Sequence, residues 1–505
     1  MVVRPWQKKL NGTTSPSNDW ESRPLRQRCR LIGRVAAAIA ARAEELTELS
    51  CTDQRVDPVE TITAELLPTC SALRFIARRG HKVLRPRAYN ALGRPAWLWG
   101  VRSRVYRKPR GKVLVLGTWN YPIFLPGVQT AQALAAGNTV LLKPAVGCEL
   151  VTSCLIDAFH TAGVPESALQ ILPSEAESAI RAIDNGVDLI VLTGSSETGR
   201  KVLRQAAETV TPTIMELSGC DAVIVLPGAD IARVADSVVF GLKFNAGATC
   251  IAPRRIIAEQ READQLKTAL RERFDQIGCA TVHTAARQEV ARRVSGAIAS
   301  GAVDIFGLFD ETQLLSCGKM RPVLLDGVKA GDQIAAADLF APVTSILRVS
   351  AIDEAVGIVN QCVYRLAVSI FGPGKIAESL AVQLDVGTVC VNDLIVPTAD
   401  PRLPFGGRGE SGFGVTRGED GLIAMSVPAT ISRRHGKFAP HLQPRQSKDA
   451  QTLLGALQLI HAGTLMERFS GLKNMMIAAK TGRGDGAKRQ EQQPQAKSQE
   501  KENNS

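Results

Sequence analysis

The sequence predicts an α/β protein with two successive sheet domains, and three observations carry that expectation. Short β-branched runs, KVLVLGT, TVLLKP, LQILPS and LIVLTG, recur about 25 residues apart from residue 112 onward. Helical patterns near 126–136, 147–162 and 196–209 fill the gaps, which is the signature of βαβ units on a parallel sheet. The runs TIMEL and AVIVLP follow, and RRIIA near 254, LAVSIFG near 366 and TVCVN near 388 form a further series that predicts a second, mixed domain.

The other segments follow from periodicity and composition. Residues 22–50 carry Leu31, Ile32, Val35, Ile39, Leu46 and Leu49 at helical spacing, so an amphipathic helix opens the fold. Beyond about 437 the α/β pattern decays. Residues 451–479 read as one amphipathic helix, and residues 481–505, rich in Gln, Lys, Glu, Gly and Asn, read as disordered.

Composition narrows the classes. A chain of 505 residues with 45% hydrophobic and 22% charged residues can bury sizeable cores without staples. Its eleven cysteines form no C-x-x-C pair and no Cys/His cluster at zinc spacing, so neither a disulfide framework nor a metal is indicated and a reducing compartment fits. No signal peptide and no run of eighteen apolar residues is found, and a cytoplasmic protein is expected. Net charge is +12, with thirteen Lys/Arg and no acid between Arg74 and Lys112, interleaved with Tyr89, Trp97, Trp99 and Tyr106. Such a stretch suits nucleic acid, an anionic membrane or an acidic partner, but equally a solvated face beside an anionic cofactor.

Several short motifs carry chemistry. Gly407 to Gly412 satisfies G-x-G-x-x-G, but it follows ADPRLPFG rather than a strand and reads as a glycine-rich loop, not a dinucleotide fingerprint. A better phosphate site is LIVLTGSSETGRKVLRQA, where a strand runs into Gly194 and Ser195, then Gly199 and a helix. Free N–H groups at that helix start would meet a pyrophosphate. Lys143 ends the strand TVLLK, at the carboxyl edge where open α/β sheets bind ligands. Cys250, in FNAGATCIAP, is either an inert thiol or a nucleophile. Its candidate base is Glu216 in TIMELSG, 34 residues earlier, and Asn120 in GTWNYP could donate to an oxyanion.

Taken together and in this order, GTWNYP, AGNTVLLKPA, LTGSSETG, MELSG, FNAGATC, DLFAPV, and VNDLIV with LPFGGRGESGFG resemble the NAD(P)-dependent aldehyde dehydrogenase superfamily over residues about 25–435. The short N-terminal arm, GTWNYP and LPFGG are most similar to its class-3 or fatty-aldehyde branch. The resemblance implies a Rossmann-like NAD(P)-binding domain (1–98 and 112–217) and an α/β catalytic domain (218–391). It also implies a small β oligomerisation arm (99–111 and 415–436) and a glycine-rich active-site loop (392–414). A C-terminal extension (437–480) and a tail (481–505) lie outside it.

Carried over by position, the resemblance implies that Cys250 attacks the aldehyde carbon while the Asn120 side chain and the Cys250 N–H hold the oxyanion. Glu216 would activate the water that hydrolyses the thioester. Lys143 would bind the adenosine ribose, Gly194, Ser195 and Gly199 the pyrophosphate, and Thr118, Trp119 and Leu217 the cofactor cleft, with Asp338 and Phe340 at the nicotinamide ribose. NAD or NADP is the implied cofactor and no metal is implied. Partners would be an aldehyde and further copies of the chain in a dimer or tetramer. Nucleic acid is not expected, and a peripheral membrane contact would involve residues 74–94 and 451–479.

Departures from the pattern are specific. Val146 stands where NAD-preferring members often carry Glu, Asp338 where Glu is usual, Ala248 for Gln and Ala341 for Gly. Two alternatives to aldehyde oxidation to the acid are a CoA-acylating enzyme, against which Glu216 argues, and a non-catalytic descendant.

Overall fold

The computed structural model describes residues 18–446 and 449–490. The chain divides into two compact units, one of residues up to 88 together with 104–431, the other of residues 89–103 together with those from 432 onward.

The larger unit holds two sheets. Strands β1 (Lys112–Leu116), β2 (Thr139–Lys143), β3 (Leu169–Ile171), β4 (Leu189–Thr193) and β5 (Thr213–Glu216) pair in parallel in the order β5-β4-β1-β2-β3. Alternate residues feed two cores, as the period of a strand buried on both faces requires. Val113, Val115, Val140 and Leu142 pack on one side with helices α1 (Leu25–Ala41) and α2 (Phe124–Ala136), while Leu114, Leu116, Ile190 and Leu192 pack on the other with α3 (Ser196–Thr209). The opening helix expected over 22–50 is interrupted: α1 ends at Arg42, whose ψ of 20° is non-helical, and a second helix runs Ala43–Leu49.

The register sets the site. Leu116 lies opposite Lys143 and Thr193 opposite Glu216, so the carboxyl ends of β1, β2, β4 and β5 present Thr118, Asn120, Lys143, Gly194 and Glu216 along one edge. Open parallel sheets bind ligands at that edge.

The second sheet uses β6 (Asp221–Val225), β7 (Pro253–Glu259), β8 (Val303–Asp304), β9 (Val323–Asp326), β10 (Val343–Val349), β11 (Ala367–Phe371) and β12 (Thr388–Val391), in the order β8-β9-β10-β7-β6-β11-β12. All neighbours are parallel except β8 and β9. Helix α4 (Thr284–Ala299) packs Val290, Ala291 and Val294 into the core beneath it.

The chain then returns to the first sheet. Strand β13 (Gly412–Phe413) joins it antiparallel to β5, with Gly412 opposite Glu216. Only glycine fits there: φ is +96°, and a Cβ would come within 2.0 Å of the Met215 carbonyl oxygen. The glycine-rich stretch 407–412 is thus a loop that pins a strand edge, with no helix opening from it.

A small sheet contains Arg87–Tyr89, Val101–Pro109 and Ser426–Arg434, in that order. Within the second unit, Ser103 Oγ and Ser432 Oγ lie 2.8 Å apart and Gly100 O accepts from the His435 N–H at 2.7 Å. The helix expected over 451–479 is two helices, α5 (Asp449–His461) and α6 (Leu465–Gln490). Thr464 and Glu467 form a reciprocal capping box that starts α6: the Glu467 N–H donates to Thr464 Oγ1 (3.3 Å) and the Thr464 N–H to Glu467 Oε2 (3.1 Å). The helices approach at Gly455 and Gly471, where a Cβ on either would sit 2.6 Å from the other's carbonyl oxygen. Leu453, Leu457, Leu465 and Phe469 remain exposed rather than burying one apolar face. Helix α6 continues to Gln490, ten residues into the segment expected to be disordered, and residues 491–505 lie outside those described. Among the described residues no helix is long and apolar enough to cross a membrane.

Candidate active site

Glu216 ends β5 with its carboxylate buried. Thr416 Oγ1 donates to Oε1, and Thr193 Oγ1 (3.2 Å) and Gln129 Nε2 (3.3 Å) donate to Oε2. Gln129 also donates to Thr193 Oγ1 at 2.9 Å, which fixes the amide. Burial raises the carboxyl pKa above its ordinary value, while the Arg417 charge and the three donors oppose the rise. A buried carboxylate that is hydrogen-bonded on both oxygens but partly desolvated has the character of a general base.

Cys250 follows a strained turn. Asn245 (φ +52°), Ala246 (φ +51°) and Gly247 (φ +72°) are all left-handed. A left-handed conformation costs a non-glycine residue roughly 1–3 kcal/mol, so something must hold the turn. At Gly247 a Cβ would fall 2.5 Å from Ala341 O, so this position accepts only glycine. Asn245 is held from every side. Its N–H donates to Glu60 Oε2 (3.1 Å), its Oδ1 accepts from Arg55 Nε (3.3 Å), and its Nδ2 donates to Asn120 O (3.0 Å) and Ala248 O (3.3 Å). Arg55 in turn forms a buried ion pair with Glu65 and donates to Asn120 O. Glu65 Oε2 accepts the Ile123 (2.6 Å) and Phe124 (3.1 Å) N–H groups at the start of α2.

The same network orients Asn120. Its Oδ1 accepts from Thr118 Oγ1 at 2.7 Å, so Nδ2 must face the cysteine loop, where one of its two N–H groups meets Ala248 O at 3.0 Å. Among the described residues the second makes no hydrogen bond. Tyr121 and Thr249 hydroxyls lie 2.5 Å apart beside it. Burial, with Asp221 and Glu216 nearby, pushes the Cys250 thiol up to about 12, and the Arg417 charge opposes this.

Glu216, Thr193, Asn120, Tyr121, Thr249 and Cys250 line one cleft of about 1340 Å³. Cys250, Glu216, Asn120, Thr118, Trp119, Lys143, Gly194, Ser195, Leu217, Asp338 and Phe340 are on its wall. Gly199 is the exception among the expected residues. It lies one turn into α3, where a Cβ would meet Leu217 Cδ1 at 2.7 Å, so its role is to let α3 pack.

The cleft fits a dinucleotide. Ser195 caps α3, accepting from the Thr198 N–H at 3.2 Å, while the Ser196 N–H donates to Ser218 Oγ at 3.3 Å; residues 195–198 are on the wall, so the positive end of the helix borders the cleft, as suits an anion. Asp338 Oδ1 is buried with no hydrogen-bond partner, an acceptor suited to a ribose hydroxyl. Burial raises its pKa to about 6, against the nearby Arg254 charge. Trp119 stacks on His283 (4.2 Å between centroids, 11° between planes) and meets Phe340 at 5.6 Å with the planes tilted by 55°, which makes an aromatic corner. Val146 is on the wall and 73% exposed, so no carboxylate at this position would repel a 2′-phosphate.

Several of these residues were not singled out by the sequence: Thr193, Gln129, Thr416 and Arg417 around the base, Arg55 and Glu65 behind the cysteine turn, and His283 on Trp119. Thr193 alone had a local signal, as the last residue of the strand before Gly194.

A buried base, a cysteine on a strained turn, an amide donor and a dinucleotide cleft define a nucleotide-dependent oxidoreductase with covalent chemistry. The aldehyde dehydrogenase family profile matches residues 8–431, and the chain belongs to that family. It is 29% identical over 467 residues to 4,4′-diapolycopene aldehyde oxidase of a Methylomonas species, covering 90% of this chain and 87% of the relative. A probable coniferyl aldehyde dehydrogenase of Pseudomonas aeruginosa is 29% identical over 413 residues, covering 78% and 84%. Among solved structures, a Mycobacterium tuberculosis aldehyde dehydrogenase complexed with NAD+ superimposes with a TM-score of 0.74 (28% identity, 82% of this chain and 86% of the other). An NADP-dependent glyceraldehyde-3-phosphate dehydrogenase from Bacillus halodurans C-125 complexed with NADP gives 0.75 (27%, 83% and 88%). The chain is an NAD(P)-dependent aldehyde dehydrogenase that oxidises an aldehyde to the carboxylic acid.

The buried Arg55–Glu65 pair anchors both the cysteine turn and Asn120. Removing one partner of such a pair leaves an uncompensated buried charge and costs about 3–5 kcal/mol. Arg55→Ala should therefore lower the thermal midpoint by several degrees and cut turnover at saturating substrate. An unchanged midpoint would refute the anchoring role.

Proposed function

We propose that Cys250 is the nucleophile and Glu216 the hydrolytic base. The thiolate adds to the aldehyde carbon, forming a C–S bond and a thiohemiacetal oxyanion that accepts hydrogen bonds from Asn120 Nδ2 and the Cys250 N–H. Bound NAD(P)+ supplies a hydride acceptor. Loss of hydride from the carbon leaves the Cys250 thioester. Glu216 then takes a proton from water, whose oxygen attacks the acyl carbon; the C–S bond breaks, the acid leaves and the thiol is regenerated. The observation that supports this reading best is the placement of Cys250, Glu216 and Asn120 on one wall, with the base desolvated yet hydrogen-bonded. Hydrolysis through Glu216 favours free acid over transfer to CoA.

The residue roles separate kinetically. Cys250→Ala should abolish turnover. Glu216→Gln should still form reduced cofactor in a burst of about one equivalent per site, followed by a steady rate lower by about 10²–10⁴. Because the raised pKa of Glu216 must be exceeded for it to act as base, the wild-type steady rate should fall as pH drops. A Glu216→Gln enzyme with wild-type steady turnover would refute the assignment.

We also infer a bulky apolar aldehyde as substrate. Phe124, Leu125, Phe240, Phe244, Val396 and Phe405 line the cleft beside Cys250. Two relatives are named for carotenoid aldehydes, that of Methylomonas and a 4,4′-diaponeurosporen-aldehyde dehydrogenase of Staphylococcus aureus (26% identical, covering 80% of this chain and 88% of the relative). The expected outcome is a kcat/KM at least about tenfold higher for a long-chain polyene aldehyde than for succinate semialdehyde, the loss of each buried CH₂ costing about 0.8 kcal/mol. The reverse ranking would exclude this substrate class.

The segments 99–111 and 415–436 contribute strands Val101–Pro109 and Ser426–Arg434 to the small sheet, with the latter at its edge. An edge strand with free N–H and C=O groups supports homo-oligomer formation by strand addition. The eleven free thiols suit a cytoplasmic setting. Light scattering at micromolar concentration should give a dimer or tetramer, and a monomer mass would refute the arm.

A further inference from the structure

Arg417 is an unusual residue for the wall of this cleft. Its backbone is left-handed (φ +61°), its N–H donates to Gln132 Oε1 at 3.2 Å, and it immediately precedes the helix Gly418–Ala424. The side chain is 6% exposed and lies among aromatic rings, with the guanidinium 4.0 Å from the Phe405 ring centroid and 5.3 Å from that of Phe124. Nη1 donates to Thr398 O at 2.7 Å, whereas buried Nε has no partner. Among the described residues no carboxylate lies within ion-pair distance of it. A guanidinium stays charged at any pH the protein survives, so this is a permanent positive charge buried without a salt bridge.

Arg417, Glu216 and Cys250 line the same cleft, and Cys250 packs against the cluster containing Phe405, the ring over which the guanidinium lies, so the charge of Arg417 bears on both groups. Thr416, its neighbour in sequence, already donates to Glu216 Oε1, so one dipeptide brings both a hydroxyl and a cation to the base. Around Cys250 the remaining charged and titratable groups are Asp221, Glu216 and Asp338 on the negative side, Arg254 on the positive side, and Tyr121. The carboxyl groups of Asp221, Glu216 and Asp338 oppose ionisation of the thiol.

We propose that Arg417 is a positioning residue for the reaction: its fixed charge, held over Phe405 by Thr398 O, sustains Glu216 as a carboxylate and Cys250 as a thiolate inside a site whose burial disfavours both anions. The proposal rests on the roles assigned above to Cys250 and Glu216. Burial raises both groups, and for both of them Arg417 is a charge that opposes the rise. For buried Asp338 the opposing charge is that of Arg254.

The test needs neither aldehyde nor cofactor, so it stands apart from the assignment of the reaction. Iodoacetamide labelling of Cys250, followed by mass spectrometry of its peptide because ten other thiols are present, reports the thiolate across pH 6–10. Arg417→Met should label about tenfold more slowly at pH 7.5, equivalent to an upward midpoint shift of about one pH unit. Arg417→Lys, which keeps the charge, should label within about twofold of wild type. In turnover, Arg417→Met should move the acidic limb of kcat upward in pH while KM changes less than about threefold. A folded Arg417→Met protein that labels at the wild-type rate overturns the proposal. So does a change confined to KM for carboxylate-bearing aldehydes, which would make Arg417 a substrate contact. If Arg417→Met does not fold, Arg417→Lys decides: labelling slowed by more than about threefold overturns the proposal, and retention supports it.

Discussion

The pairing of β13 with β5 is the contact on which the site depends. Glu216 ends one strand, and two of the residues that bear on its ionisation, Thr416 and Arg417, arrive about 200 positions later, because Gly412 lies directly opposite it. The approach is so close that the Met215 carbonyl oxygen occupies the space of a side chain at 412. From that fixed point the chain runs four residues to Thr416, whose hydroxyl reaches the carboxylate, and one more to Arg417. A shift of the strand edge by one residue would turn every side chain to the opposite face and remove both groups from the base.

The site also groups buried guanidinium and carboxyl side chains, some in contact and some not. Arg55 touches Glu65, whereas Arg254 acts on Asp338 and Arg417 on Glu216 only by charge across a low-dielectric interior. They differ in function because they differ in contact. Arg55 and Glu65 touch directly and spend their remaining hydrogen-bonding capacity on Asn245 Oδ1, Asn120 O and two N–H groups of α2, so the pair works as a structural clamp. Arg417 makes no ion pair with Glu216, as the proton-accepting role proposed for that carboxylate requires. A direct bidentate contact would hold that carboxylate too firmly to act as a base.

How much of this was legible follows from the range of the interactions. The strands of both sheets are short β-branched runs whose period is local, and the helices between them are framed by turn residues, so the α/β class could be read directly. Cys250, Glu216, Asn120 and Lys143 sit at strand ends or in distinctive motifs. Thr416 and Arg417 could not be found this way, because nothing within ten residues of Arg417 records that a ring at 405 and a carboxylate at 216 will surround it. Arg55 and Glu65 sit in a segment without a sequence motif, and only the fold shows them buried. The division of 451–479 did carry a signal: T-x-x-E at Thr464–Glu467 marks a helix start, but the apolar spacing runs on across it and suggested one helix. Gly199 shows the converse, a motif residue whose glycine is required for packing against Leu217 rather than for a ligand.

Ala248 makes a related point about side chains and backbone. It replaces the glutamine usual two residues before the cysteine, a change that would matter if the side chain shaped the oxyanion site. In this structure the group at 248 that organises the site is the carbonyl oxygen, which accepts from both Asn120 Nδ2 and Asn245 Nδ2. Any residue supplies that oxygen, and a buried methyl group needs no partner. What must be preserved is the direction of the carbonyl, and this is set by the left-handed run Asn245, Ala246 and Gly247 just before it. The Arg55, Glu60 and Asn120 contacts that hold Asn245 therefore control the position of Cys250 more strongly than the residue beside it does. The requirement for a particular side chain has moved from position 248 to the network behind the turn.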